Sequence, residues 1–215
     1  VEGTCLMAAN SDFEGGFSLA GGGYIANNWT EWETDPGVVI GFDETTTVHG
    51  GAHSQRIRIA GGTNGSSGGV YQRVPAVPGH PYNIGVWIYA GDDQSACSMG
   101  VDPAGGTNAN AGVIWSSVTT NVAWVQKTWT GTPTAGLLTV FFKVASADAT
   151  LRNGYFDDAA PGISLTVQRS DDSLTLTWPQ CPAARLEQAE SLTSPVSWTT
   201  ATNQISVVSG QKSVT

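Results

Sequence analysis

Residues 68–90 read GGVYQRVPAVPGHPYNIGVWIYA, and no other stretch constrains the fold as much. Two runs of β-branched and aromatic residues, Val70 to Val74 and Tyr82 to Ala90, flank a connector holding Pro75, Pro78, Gly79 and Pro81. Runs of this kind bounded by turn chemistry predict two strands, here an antiparallel hairpin around a rigid turn. Side chains alternate across a strand, so Tyr82, Ile84, Val86 and Ile88 point one way and Asn83, Gly85, Trp87 and Tyr89 the other. The first set is aliphatic core. The second is either another buried layer or a flat surface on which something planar lies.

The rest of the chain repeats that pattern. Val38 to Phe42, Gln55 to Ala60, a strand ending near Asp102, one containing Val113 and Trp115, Trp124 to Thr130, Leu137 to Ala145 and the closing Tyr155 to Asp158 are further short strands. No segment keeps a helical period, Gly is abundant at 27 residues, and only 13% of residues are charged. Composition and period therefore predict an all-β chain, with eight to ten strands before residue 160 forming a two-sheet sandwich or jelly roll. GGGYIANNWTEWETDPG, with Trp29 and Trp32, reads as a long loop whose tryptophans either cap the core or meet a ligand.

Ala159, Ala160, Pro161 and Gly162 read as a linker, dividing residues 1–160 from 161–215. Beyond it, Ile163 to Val167 and Leu174 to Trp178 alternate around a turn, and three more strands fall near Leu186 to Ser191, Trp198 and Ile205 to Val208. Five strands are fewer than the seven of an immunoglobulin-like sandwich. The second domain is therefore expected to be truncated or completed by a partner strand. The chain starts at Val1 with no signal peptide, which suggests a processed or excised piece.

The net charge of −9 argues against nucleic acid, whose phosphates call for basic patches. No apolar run approaches the roughly 20 residues of a membrane helix. Cys5, Cys97 and Cys181 match no metal or redox spacing, and Cys5 with Cys97 is a possible disulfide. His49 and His53 lie in a Gly-rich loop rather than on a helix, so their spacing makes no zinc pair.

Several motifs occur in a telling order. Asn10, Phe13 and Glu14 form an opening Asn-x-x-Phe-Glu; His53, Ser54, Arg56 and Ile57 form His-Ser-x-Arg-Ile; GGVYQ and PGxxYxIGVW follow, and YFDDA closes the unit. Together, over residues 8–160, they resemble the calcium-binding jelly-roll carbohydrate-binding modules. The stretches TLTWP and RLEQAESLTSPVSWTT resemble small sandwich domains of secreted bacterial multidomain proteins. The resemblance implies a structural calcium held by the side chains of Glu14 and Asp157, or Asp158 in its place, and by carbonyls near Gly51 and His53. Oxygen ligands on irregular loops suit that ion.

Two functions follow as expectations. The first is a non-catalytic, extracellular glycan-binding module of a bacterial surface or secreted protein. Polysaccharide would stack on Trp87, Tyr89, Trp115 and Trp129 and hydrogen-bond Gln72, Asn83 and Gln126, although each of the aromatics has core as its competing role. The second is a structural subunit of a cell-surface filament, sheath or adhesin that self-assembles by sharing strands or stacking. An enzyme is disfavoured: there is no HExxH or phosphate loop, and nothing in the spacing supports Asp43 with Asp102 as a glycosidase pair.

Overall fold

The computed structural model describes residues 8–146, 148, 150–162, 166–170, 173–179, 187–188, 199–200, 206–208 and 211–214. The chain forms two compact units, one spanning Leu6–Gly162 and one made of Ile163–Thr215 with Val1–Cys5. The described residues are all strand, turn and loop, and no helix among them is long and apolar enough to cross a membrane.

Twelve strands build the larger unit. They are β1 (Phe17–Ala20), β2 (Gly23–Ala26), β3 (Thr30–Glu33), β4 (Val39–Glu44), β5 (Ser54–Ile59), β6 (Ser67–Pro75), β7 (Tyr82–Ala90), β8 (Ser95–Asp102), β9 (Ile114–Trp115), β10 (Val125–Gly131), β11 (Leu137–Ser146) and β12 (Arg152–Gly162). One antiparallel sheet has the order β10-β7-β12-β5-β4 and the other β3-β6-β11-β8-β9, with β1-β2 as a separate ribbon. This is a jelly-roll sandwich, as the strand pattern predicts.

Residues 68–90 do not make a hairpin. β6 pairs with β3 and β11 while β7 pairs with β10 and β12, so the proline-rich connector carries the chain from one sheet to the other. The physical reason lies in Pro75, Pro78 and Pro81, which have no amide hydrogen to give a hairpin ladder. They suit an arch across facing sheets instead. The alternation itself holds: Ile84, Val86 and Ile88 are buried while Asn83 is exposed and Trp87 and Tyr89 half-buried.

The core lies between the sheets. Val39, Ile57, Ile59, Ile84, Val86, Ile88 and Phe156 come from one side, and Val70, Val74, Met99, Val101, Leu138, Val140, Phe142 and Val144 from the other. Phe142 stacks on Phe156 with centroids 5.1 Å apart and lies 4.8 Å from the ring of Trp29. Trp29 is therefore a core residue, and Trp32, three residues on, faces outward on β3. Pairing of Thr30–Glu33 with β6 makes that region a strand where a loop was expected. Buried Gln55 ties the ribbon to the sandwich, accepting from the Ala26 amide and donating to the carbonyls of Tyr24 and Phe42.

Residues 159–162, expected as linker, are the end of β12. After a register shift between Asp157 and Ala160, residues 160–162 pair with Gly85, Ile84 and Asn83. Cys97 is a free thiol buried in the core, pushed up to about 12 by burial. Its expected partner Cys5, and Cys181, lie outside the described residues.

In the smaller unit, β13 (Thr166–Ser170) and β14 (Ser173–Pro179) form the expected hairpin. β15 (Glu187–Gln188) pairs with β16 (Thr199–Thr200), and β17 (Ser206–Val208) with β18 (Gln211–Val214), which also pairs with β14.

Phe142 is fully buried among three aromatic rings. Truncating Phe142→Ala should cost about 3–5 kcal/mol, read as a lower urea midpoint of tryptophan fluorescence at unchanged slope.

Candidate functional site

The loop between β4 and β5, residues 48–53, is held by carboxylates from both ends of the larger unit. Glu14 Oε1 accepts from the amides of Ala52 (2.8 Å) and His53 (2.9 Å). Asp157 Oδ2 accepts from the amides of His49 (2.7 Å) and Gly50 (3.1 Å), and its Oδ1 from that of Asp158 (2.7 Å). Two left-handed residues aim these groups: Phe13 at φ 61° precedes Glu14, and Asp158 at φ 46° follows Asp157 within the bulge of β12. Position 51 requires glycine, because φ is +65° and a Cβ would lie 2.2 Å from Glu14 Oε1.

The electrostatics of the two carboxylates differ. Amides of Ala52 and then His53 hold Glu14 below the usual carboxylate range. Burial pushes Asp157 up, against the pull of its three amide donors. Glu14, Asp157, Gly51 and His53 thus converge on one loop, and Asp158 joins them through His49 Nδ1 at 2.7 Å. Among the described residues no group of three or more His, Cys, Asp or Glu side chains forms a metal cluster.

The outward faces of the two sheets carry the aromatics. On β10-β7-β12-β5-β4, Trp87 is covered by His49, which stacks on it at 4.1 Å and 15°. Tyr89 meets Trp124 at 5.7 Å and Tyr155 at 5.6 Å. Asn83 and Gln126 are exposed on this face, Gln126 directly across from Trp87.

The opposite sheet shows a different arrangement. Cross-strand register sets Tyr71, Phe141, Gly100 and Trp115 in one row and Trp32, Gly69, Lys143 and Ser98 in the next. Trp32 and Trp115 lie 6.1 Å apart above Phe141, whose ring is 6.2 and 6.1 Å from theirs. Lys143 Nζ sits 3.9 Å over the Trp115 ring, and its half-burial lowers the ammonium pKa. A pocket of about 250 Å³ opens here, lined by Trp32, Ser67, residues 109–113, Trp115 and Lys143. The hydroxyls of Ser98 and Thr139, on the same face, are buried with no hydrogen-bond partner.

The pocket wall is the Gly/Asn-rich loop after β8. Asp102 Oδ1 accepts from the Ala104 amide at 2.8 Å, and the loop folds over the other carboxylate oxygen. A Cβ at Gly106 would stand 2.4 Å from Asp102 Oδ2, so glycine lets the backbone close on that anchor. Asp102 thereby has a structural task, and Asp43 lies on the other sheet, so the two carboxylates do not form a pair.

The seven residues expected to bind ligand are therefore dispersed. Trp87, Tyr89, Asn83 and Gln126 share one outward face, and Trp115 stands on the other. Trp129 turns inward and packs on the core. Gln72 is buried, accepting from the Ala9 amide and donating to the carbonyls of Ala9 and Asn28. It pins the opening segment rather than facing solvent. Sequence reasoning missed Lys143, although a lone lysine in the run LLTVFFKVAS was the available signal.

No model of a known family matches the chain, and no curated protein matches it. Among solved structures the fold is similar to a family 61 carbohydrate-binding module in complex with β-1,4-galactotriose. That match has TM-score 0.51 and 16% identity, covering 74% of this chain and 98% of that one. A family 22 xylan-binding domain follows with TM-score 0.45 and 16% identity, covering 71% and 91%. The enzymatically active domain of a tailspike protein from bacteriophage CBA120 has TM-score 0.49 and 17% identity, covering 63% of this chain and 19% of that one. At such identities the likeness is one of fold.

His53 Nδ1 lies 2.6 Å from Asp43 Oδ1, and this hydrogen bond raises the imidazole pKa above its ordinary, unfolded value. Its stabilisation is complete below that unfolded value and is lost as pH rises through the raised folded one. The melting temperature should therefore fall as pH rises from the ordinary histidine range through the raised folded value, and Asp43→Asn should remove that part of the decline in a pH series of thermal melts.

Proposed function

We propose that the jelly-roll unit is a non-catalytic, extracellular carbohydrate-binding module of a secreted or cell-surface protein, and that its glycan occupies the pocket between Trp32 and Trp115. The observation that carries this reading is the pairing of two indoles 6.1 Å apart with a lysine, a serine and loop backbone around one pocket. Sugar rings present apolar C–H faces that bury against aromatics, and hydroxyls that need hydrogen-bond partners. Trp32 and Trp115 supply the apolar wall. Lys143, Ser67 and the backbone of residues 109–113 supply the polar one. The similar family 61 module holds a β-1,4-galactotriose, which supports the ligand class.

Calcium is the structural ion of this reading. Glu14 and Asp157 fit it chemically: both offer hard oxygens, they reach the same loop, and Glu14 Oε2 is not engaged by the loop amides that grip Oε1. Carbonyls near Gly51 and His53 would complete the set. The ion would offset the desolvation that raises the pKa of Asp157 and tie the first and last segments of the unit to loop 48–53.

The smaller unit is read as part of an immunoglobulin-like domain appended to the module. Its four-stranded sheet β13-β14-β18-β17 supports that assignment.

Retention on a panel of insoluble and immobilised polysaccharides tests the binding site. Trp115→Ala and Trp32→Ala should each abolish retention, since stacking aromatics carry most of such an interaction, while Trp87→Ala, already covered by His49, should retain it. Regular filaments or sheets in electron micrographs, with no retention on any polysaccharide, would replace this reading by that of a surface-layer subunit.

The ion is tested separately by chelation. At calcium 100-fold above its Kd the folded state gains about 2.7 kcal/mol, so chelator should lower the melting temperature of wild type but not of Glu14→Gln. An unchanged wild-type melt would remove calcium from the proposal.

A further inference from the structure

The face opposite the Trp32 pocket carries a paired cationic feature that neutral-sugar binding does not use. Arg56 and Arg58 stand two apart on β5, so both point outward from the sheet β10-β7-β12-β5-β4. Their guanidinium carbons lie 4.7 and 4.6 Å from the centroid of the same Phe42 ring. Each donates its Nε–H to the same Asn153 Oδ1, at 3.1 and 3.3 Å. Arg56 also has Glu44, with Nη1 3.5 Å from Oε2. Among the described residues Arg58 forms no ion pair with a carboxylate.

Two like charges are thus held side by side on one acceptor and one ring. Burial, and then the charge of Arg56, lower the pKa of Arg58. An anion lying across the two forks would relieve both effects, and the planar guanidinium is shaped for the bidentate grip of an oxyanion. Beside the pair runs an aromatic row. Arg56 lies 5.7 Å from the Tyr155 ring, Tyr155 meets Tyr89 edge-on, and Tyr89 meets Trp124. From Arg56 on β5 to Trp124 just ahead of β10 the row crosses three strand spacings, about 15 Å, which is the reach of a short oligosaccharide.

We propose that this face is a second carbohydrate surface, selective for acidic sugars, with an oxyanion of the ligand seated on Arg58 and Arg56 and the sugar rings laid along Tyr155, Tyr89 and Trp124. The oxyanion is the carboxylate of a uronic acid or a sulfate ester, which present the same chemistry to the two forks. The chain's net charge of −9 opposes non-specific attraction to a polyanion, so retention on one must come from a built site.

Affinity electrophoresis of the full chain through gels containing polygalacturonate, dextran sulfate, neutral galactan or plain dextran tests the site. It should be run at an ionic strength of about 0.15 M, where the Debye length is about 8 Å. Wild type should be retarded by polygalacturonate or by dextran sulfate, and the more retarding of the two names the natural oxyanion. Arg58→Gln should weaken that retardation about tenfold or more, the worth of a charge-assisted hydrogen bond. Arg58→Lys, which keeps the charge and loses the fork, should weaken it too. Trp115→Ala should leave it unchanged while abolishing any retardation by neutral galactan, so the two sites fail separately. Because Arg58 packs on Phe42, thermal melts of both Arg58 variants must match wild type within a few degrees; if Arg58→Gln does not, Arg58→Lys carries the test. No retardation of wild type by either polyanion, or equal retardation of wild type and the folded variants, overturns the proposal.

Discussion

Two carboxylates gripping the amides of one loop are the constraint on which the larger unit depends. A sandwich whose chain crosses between sheets leaves its first and last segments free to fray unless something joins them. Glu14, ahead of β1, and Asp157, in β12, both bind residues 49–53. The separation in sequence is large, so closing this contact orders most of the unit between them. It also explains why backbone conformations as costly as a left-handed phenylalanine are kept at Phe13. The buried ring of Phe13 packs 5.5 Å from Trp29 and fixes the direction of the next residue, Glu14.

Either sheet of the sandwich has one face in the core and one face outward, and the register assigns chemistry to each row. On β11, Val140 and Phe142 belong to the core while Phe141 and Lys143 belong to the pocket face. On β5, Ile57 and Ile59 are core while Arg56 and Arg58 are outward. A shift of one residue would exchange these sets and bury Lys143 in β11 or both arginines in β5, at several kcal/mol per charge. The register that builds the core is therefore the same one that places the functional residues, and neither can be changed alone.

The sheet-forming alternation was legible wherever apolar residues recur every second position, as in Tyr82–Ala90 and Leu137–Ser146. Which strand pairs with which was not. The prolines of residues 75–81 mark a turn equally well for a hairpin and for an arch between sheets, and only the partner strands β3, β11, β10 and β12 decide it. The convergence of Glu14 and Asp157 on loop 48–53 was reached through motif order, since no local pattern brings together residues so far apart. Gln72 looked like a ligand contact because amides favour surfaces. Buried beside Val70 and Val74, it bonds to two backbone carbonyls and an amide instead, which is how a buried amide avoids its desolvation cost. Trp32 was legible as a tryptophan that either caps the core or meets a ligand, but its pairing with Trp115 and Lys143 was not, because a site built across strands has no contiguous sequence.

Loop 48–53 also decides what the second face can offer a ligand. Asp157 fixes the His49 amide, Asp158 holds its ring nitrogen, and the ring then lies flat on Trp87. The clamp that joins the ends of the unit therefore takes up one face of the β7 indole, which is left half-buried. Beside it on that face lies a half-buried row of Tyr89 and Tyr155, with Trp124 at one side and two half-buried guanidiniums at the other. Stacking alone discriminates poorly among sugars, because every pyranose presents an apolar face. With one face of the best stacking partner taken, the proposed second surface would depend for selectivity on the arginines, and charge on the ligand would be the property it reads.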